Sequence, residues 1–139
     1  MPRPRPPKKW LWLGVVLLAA AAVLLLLTHR GRRPFQDLEA ADLAAVSVSL
    51  LPPDVTVTLD GAQRAKLTGL LREVVVYQRD DAYGQYAGQA VIFTLEMADG
   101  AVRTVTAYNP FLVLDGAGYR TAYAPCEALN AFANGLIGP

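Results

Sequence analysis

The sequence predicts an α+β protein: a mainly antiparallel meander sheet with two helices, preceded by one transmembrane helix. Residues 10–28 form an uncharged apolar run, WLWLGVVLLAAAAVLLLLT, between basic flanks. The rest of the chain shows period-two strand patterns separated by turn residues, and two stretches repeat apolar residues with helical spacing. We therefore expect the element order β-β-α-β-β-β-β-β-α after the apolar run.

The apolar run predicts a helix that spans a lipid bilayer. Residues 10–28, as a helix, extend roughly 28 Å, close to the thickness of a hydrocarbon core. Trp10 and Trp12 stand beside Lys8 and Lys9, a pairing typical of headgroup-level anchors. The run is not followed by small residues for cleavage or by a lipoprotein cysteine. It is therefore expected to be an uncleaved signal anchor.

The charges around the run predict its orientation. The flank before it carries slightly more positive charge than the flank after it, which ends in Arg30, Arg32 and Arg33. The positive-inside bias then places residues 1–9 as a basic cytoplasmic tail. We expect a linker at 29–43 and an extracytoplasmic α+β domain at 44–139, in a single-pass protein of the cell membrane.

The charge balance changes sign after the run. Beyond residue 33 the chain has twelve acidic and six basic side chains, a net charge of −6. Such a domain repels phosphates, so a nucleic-acid partner is not expected. The lone Cys126 excludes an internal disulfide. Besides the bilayer, the partners left open are an envelope protein or a glycan.

The first part of the domain predicts a hairpin followed by a helix. Segments 45–50 and 55–59 alternate apolar with hydroxyl residues, and the apolar set is expected to face inward: Val46, Val48, Leu50, Val55, Val57 and Leu59. Asp60 and Gln63 have the spacing of a capping box for a helix at about 61–73. Its inner stripe would be Leu67, Leu70, Leu71 and Val74.

The second part predicts a meander and a closing helix. Asp99-Gly100 is a two-residue hairpin signal between strands at 91–97 and 101–108, which would place Glu96 opposite Arg103. The wholly apolar segment 111–114 is expected to be a central strand. A further strand at 119–123 precedes a helix with Pro125 in its first turn.

The irregular segment 79–89, RDDAYGQYAGQ, is the first place to look for function, because binding residues concentrate in long loops. If it meets the corner at Asn109, the two form a tyrosine-lined surface suited to a glycan or a peptide. The candidate binding residues are Tyr83, Tyr86, Tyr108, Asn109, Tyr119, Asp80 and Asp81. The competing interpretation is that these tyrosines only cap the edge of the sheet.

The sequence predicts no catalytic residue, metal site or cofactor. The only histidine, His29, lies at the end of the apolar run, which rules out histidine chemistry in the domain. Cys126 is expected to be a buried apolar residue rather than a reactive thiol. Asp80 and Asp81 leave open a carboxylate enzyme such as a cell-wall hydrolase, and they lack the spacing of a calcium loop.

Several phrases of the chain resemble an uncharacterised small extracytoplasmic domain of gut-dwelling Clostridia. They are PPDVTVTL, VVVYQRD, YAGQAVIFTLEMADG, AYNPFLVLDGAGYRTAY and PCEALNAFAN, within about residues 34–137. The resemblance implies a membrane-tethered or lipoprotein-like protein, and it extends to the outer segment of antirepressor-type membrane metallopeptidases. It implies no chemistry for any residue, and the HExxH motif of such peptidases is absent.

These observations together predict a membrane-tethered extracytoplasmic binding or sensing module without catalytic activity. Two alternatives remain open at this point. One is the carboxylate enzyme of the cell envelope. The other is an accessory or inhibitor subunit of a membrane partner.

Overall fold

A computed structural model of the chain describes residues 1–5 and 7–138. It divides into two compact units, Met1–Arg30 and Gly31–Pro139. Pro6, in the predicted N-terminal tail, and Pro139, at the end of the predicted domain, lie outside the described residues.

The first unit contains one helix, α1 (Lys8–Thr28), which begins two residues before the predicted span. Its segment Lys8–Leu27 has a mean hydropathy of 2.7, and none of it is buried within the structure. Trp10 and Trp12 are both exposed. By length and composition, this helix can cross a membrane.

The second unit is an α+β domain whose elements follow the predicted order. Its helices and strands are β1 (Leu43–Leu51), β2 (Val55–Thr58), α2 (Gly61–Arg72), β3 (Val76–Arg79), β4 (Ala90–Met97), β5 (Val102–Tyr108), β6 (Phe111–Leu114), β7 (Ala117–Thr121) and α3 (Tyr123–Leu136).

All seven strands join one sheet in the order β2-β1-β4-β5-β6-β7-β3. Every strand pair is antiparallel, and β4 to β7 form a meander. The chain leaves β3 at one edge and returns through β4, next to β1. The segment between β3 and β4 therefore has to cross the sheet, and this crossing shapes the candidate site.

One face of the sheet, here called the helix face, carries the hydrophobic core. Side chains of α2 and α3 pack there on alternate residues of the strands, and both helices contact β1 and each other. The predicted inward residues Val46, Val48 and Leu50 are buried on this face. Strand β6, predicted to be central, has all four side chains buried.

The start of α2 has the predicted capping box. The Asp60 carboxylate accepts the Gln63 backbone N–H at 2.8 Å, and the Gln63 side chain accepts the Asp60 backbone N–H at 2.9 Å. This pairing satisfies two amide groups that lack partners within the helix. The stripe on α2 packs as predicted, with Leu67 and Leu71 buried and Leu70 partly buried against the core.

One prediction about strand neighbours is wrong, and one inward residue is less buried than the others. Val55 lies opposite the buried Leu50 and so points to the helix face as predicted, but it stays exposed because β2 is an edge strand with a single neighbour. Glu96 lies opposite Val102, and Arg103 lies opposite Leu95. The loop between β4 and β5 has three residues, Ala98 to Gly100, because the Met97 N–H bonds the Ala101 carbonyl. Such a loop with a positive-φ glycine shifts the register by one residue.

The predicted linker at 29–43 is instead largely part of the domain, which starts at Gly31. Phe35 and Leu38 are buried in the core. Arg32 exchanges two backbone hydrogen bonds with Val76, at 2.8 and 2.9 Å, and so extends the edge of the sheet beyond β3. No repeating apolar pattern marks this segment, because only Phe35, Leu38 and Leu43 of residues 29–43 are buried hydrophobic side chains.

Candidate functional site

The face of the sheet opposite the helices, here called the loop face, contains the candidate site. The segment that leaves β3 crosses this face over β7, β6 and β5 before it enters β4. Its path is marked by close approaches of Tyr83 to Gly118 and of Gly88 to Tyr108. The remaining part of the face, over β2, β1, β4 and β5, is left open by this segment. The loop face thus has a covered half and an open half.

Asp80 and Asp81 fasten the crossing segment to β7. The Asp80 carboxylate accepts the Ala82 backbone N–H at 2.9 Å and the Arg120 guanidinium at 2.8 Å. The Asp81 carboxylate accepts the Gly118 backbone N–H at 2.8 Å and pairs with Arg79 at 3.1 Å. Both carboxylates therefore hold the loop in place.

These contacts also set the protonation of the two carboxylates. The Ala82 backbone N–H, with help from Arg120, holds the pKa of Asp80 below its ordinary value. The Gly118 backbone N–H, with help from Arg79, lowers the pKa of Asp81 in the same way. A general acid in a hydrolase needs a raised pKa. The shift here is in the opposite direction, so this pair is suited to structural ion pairing.

The aromatic residues of the crossing segment enclose a phenylalanine. Phe111 is fully buried, and the rings of Tyr83 and Tyr86 meet it edge-on with centroids 6.5 and 5.0 Å away. The Arg120 guanidinium lies 4.7 Å from the centre of the same ring. The Tyr108 hydroxyl donates to the Tyr86 carbonyl. We call Tyr83, Tyr86, Tyr108 and Phe111 the aromatic cluster; Tyr86 remains 50% exposed.

Two of the predicted site residues lie elsewhere. Tyr119 packs against the core of the helix face, and the guanidinium groups of Arg32 and Arg79 lie 5.3 and 5.8 Å from the centre of its ring. It lies next to Arg120 on β7, and successive residues of a strand point to opposite faces. The Asn109 side chain donates to Glu127 at 3.2 Å at the start of α3. Of the predicted surface, Tyr83, Tyr86 and Tyr108 come together, and Asp80 and Asp81 fasten the same segment to β7.

The open half of the loop face carries hydroxyl side chains that the sequence interpretation did not single out. Cross-strand partners share a face, so the register defines two rows across four strands. One row is Thr58, Ser47, Thr94 and Thr104, and the next is Thr56, Ser49, Ile92 and Thr106. We call the seven Ser and Thr residues of these rows the hydroxyl face; all are exposed or half-exposed.

A sequence signal for the hydroxyl face existed. Ser or Thr occupies alternate positions in β1, β2 and β5, whereas β4 contributes only Thr94 to the hydroxyl face. In segments 45–50 and 55–59 this alternation predicts half-buried strands, and threonine favours strands in general, so it does not by itself indicate a binding surface. The alternation does not show that these four strands are adjacent. Strand β4 comes to lie beside β1 because the crossing segment carries the chain back across the sheet.

Other groups that could carry out chemistry are buried, are not clustered or lie away from the loop face. Cys126 is fully buried, and burial raises the pKa of its thiol to about 12, so it is not a nucleophile. Among residues 1–5 and 7–138 no three His, Cys, Asp or Glu side chains cluster closely enough to hold a metal. An open cleft of about 440 Å³ lies between the domain's first residues and α2, beside the 3.1 Å Arg33–Glu73 ion pair.

The hydroxyl face and the aromatic cluster together form one surface. Tyr108 lies two residues along β5 from Thr106, a separation of roughly 7 Å on the same face. The arrangement offers hydrogen-bonding groups, one exposed aromatic ring and no paired acid and base. Comparison with protein-family models, with curated proteins and with solved structures finds no match to this chain.

Proposed function

We propose that the chain is a membrane-tethered binding module that presents the loop face of its sheet outside the cell membrane, without catalytic activity. The observation that carries this proposal is the open half of the loop face. It is a sheet surface left uncovered by α2, α3 and the crossing segment, and it displays seven hydroxyl groups. Exposed polar surfaces on a rigid sheet are suited to binding.

Three further observations support the proposal. Helix α1 is long and apolar enough for an anchor, and Trp10 and Trp12 lie at its lysine-flanked end. The lowered pKa values of Asp80 and Asp81 do not favour the hydrolase alternative. The acidic character of the domain beyond residue 33 does not favour nucleic acid.

The outward orientation is tested by labelling cysteines in intact cells with a membrane-impermeant maleimide. The parent chain is its own control, because its one cysteine is buried and carries a raised pKa. We expect Asp99→Cys, at an exposed hairpin turn, to be labelled, and Arg5→Cys in the basic tail to be labelled only after lysis. The reverse pattern would contradict the proposed orientation.

The binding role is tested by site-specific photo-cross-linking in cells that express the full chain. A benzophenone amino acid at Thr94 lies in the middle of the hydroxyl face, and one at Ala65 lies on the exposed side of α2 as a control. We expect an envelope component to cross-link from position 94 and not from position 65. Equal cross-linking from both positions, or none from either, would overturn the proposal. An adduct that is a single membrane protein would favour the accessory-subunit alternative.

A further inference from the structure

The hydroxyl groups of the open half are available to a ligand. Ser49 and Thr56 form a mutual hydrogen bond of 3.0 Å. In the part of the chain that the structure describes, the other five side-chain hydroxyls have no hydrogen-bond partner: Ser47, Thr58, Thr94, Thr104 and Thr106. Each hydroxyl can donate one hydrogen bond and accept two. Two regular rows of such groups therefore match a ligand that is itself rich in hydroxyls.

The charge distribution selects an uncharged ligand. The two rows contain no charged side chain, although the domain beyond residue 33 has a net charge of −6. Beyond one end of the face Arg120 is neutralised by Asp80 at 2.8 Å. Glu96 is exposed at the other end and would repel an anionic polymer. The nearest other carboxylate, Asp115, accepts the Thr104 backbone N–H at 2.9 Å and pairs with Arg103 at 3.2 Å, and no carboxylate lies within the rows themselves.

The apolar content argues against a protein partner on this surface. Ile92 is the one large apolar residue in the two rows, and it is only half-exposed. Stable protein interfaces depend on a buried apolar or aromatic centre with a polar rim. Here the centre is polar, and the exposed apolar and aromatic residues of the same face, Val102, Leu51 and Tyr86, lie at its border.

Tyr86 supplies a rigid aromatic platform at that border. Its ring packs on Phe111 at 5.0 Å, and its carbonyl is held by the Tyr108 hydroxyl. Half of its surface is exposed. The apolar face of a sugar ring packs well on such a ring, whose hydroxyl is held beside the Arg120 guanidinium. Because the ring is already fixed, its ordering costs little binding energy.

We infer that the hydroxyl face and Tyr86 bind a linear, uncharged polysaccharide; this inference rests on the proposed binding function. Neighbouring strands lie about 4.8 Å apart, so each row of four side chains extends about 14 Å. That length accommodates a short run of sugar rings, which lies along the rows and ends against Tyr86. On binding, the ligand displaces water from the hydroxyl face and forms hydrogen bonds to its threonines.

The test is calorimetric titration of the full chain in lipid nanodiscs with hexamers of β-1,4-linked glucose, xylose, mannose and N-acetylglucosamine. We expect at least one hexamer to bind. The double variant Thr94→Val/Thr106→Val keeps the side-chain shape and removes two hydroxyls, and it should weaken that affinity by about tenfold or more. Tyr86→Ala should weaken it by a similar factor. Tyr123→Ala, at an exposed tyrosine on α3, should leave it unchanged.

The outcomes separate this inference from the proposed function. If no hexamer binds while position 94 still cross-links an envelope component, the polysaccharide inference is wrong and the binding function stands. If neither occurs, both fail. Binding that survives both the double threonine variant and Tyr86→Ala, or binding of an anionic polymer in place of the neutral hexamers, would also overturn the inference.

Discussion

The two faces of the sheet are formed by the same strands, but they differ in side-chain polarity and in what covers them. The helix face is apolar along β1, β4 and β5 and is covered by α2 and α3. The loop face is covered only at one end, by a segment held through ion pairs, backbone hydrogen bonds and the ring of Phe111. Its other half has hydroxyl groups. The difference shows that a loop rich in functional residue types can serve the fold, while a plain strand face remains free to bind.

Stability should therefore depend most strongly on the helix face. Leu67→Asp places an unpaired charge in a fully buried site of α2 and should lower the free energy of unfolding by more than about 4 kcal/mol. Ala65→Asp, on the exposed side of the same helix, should cost less than about 1 kcal/mol. Thermal unfolding of the full chain followed by circular dichroism measures both. Equal melting of the two variants would mean that α2 packs on a different face.

The second-largest effect on stability is expected from the covered half of the loop face. A Cβ at Gly118 would collide with the Asp80 carbonyl oxygen and the Tyr83 ring. Gly118→Ala should therefore push the crossing segment off β7 and cost about 1–3 kcal/mol. The control is Gly69→Ala in α2, where nothing lies within 4 Å and helix propensity should add about 0.5–1 kcal/mol. If Gly118→Ala were as harmless as Gly69→Ala, the crossing segment would not be in contact with β7.

The ion pair that fastens this segment should depend on pH. Because the pKa of Asp80 is lowered in the folded state, its contribution is fully present above the ordinary carboxyl pKa of about 3.9 and is lost as the pH falls through the lowered value. Asp80→Asn should lower the melting temperature at pH 7, and the difference from the parent should narrow only as the pH falls below the ordinary carboxyl pKa of about 3.9. Asp37→Asn, at an exposed carboxylate, should follow the parent throughout. A gap that widened on acidification would contradict the ion pair.

The smallest effect on stability is expected from the open half. Thr94→Val/Thr106→Val should change the free energy of unfolding by less than about 0.5 kcal/mol per site, because valine also favours strands and both hydroxyls face solvent. Chemical denaturation of the full chain measures this. A loss of several kcal/mol would show that these threonines are structural and that the surface is not free to bind.

Local sequence signals predicted the fold well where the physical cause is local. The Asp60–Gln63 capping box and the alternation at Val46, Val48 and Leu50 follow from neighbouring residues alone. The predicted hairpin register at Glu96 was wrong because one extra loop residue changes which side chains lie opposite each other. The start of the domain at Gly31 was not predicted because Arg32 pairs with a strand more than forty residues away in the sequence.

The candidate site was predicted only in part, and the reason is the crossing segment. Tyr83, Tyr86 and Tyr108 do come together, but what joins them is Phe111, which the sequence placed in the core. The sequence predicts Asp80 and Asp81 as candidate binding residues, but it does not predict their structural partners Gly118 and Arg120, which are distant in sequence. The hydroxyl face requires the pairing of β1 with β4, which no local pattern encodes.

The most direct test of the open half as the binding surface is threonine-methyl NMR of the full chain in nanodiscs, with and without an envelope fraction from cells that express it. Residues 31–138 contain seven threonines, of which five lie on the hydroxyl face: Thr56, Thr58, Thr94, Thr104 and Thr106. The buried Thr68 and Thr121 serve as internal controls. We predict shifts or broadening at the five and none at the two. No change at any of the five, or change confined to the buried Thr68 and Thr121, would contradict the account.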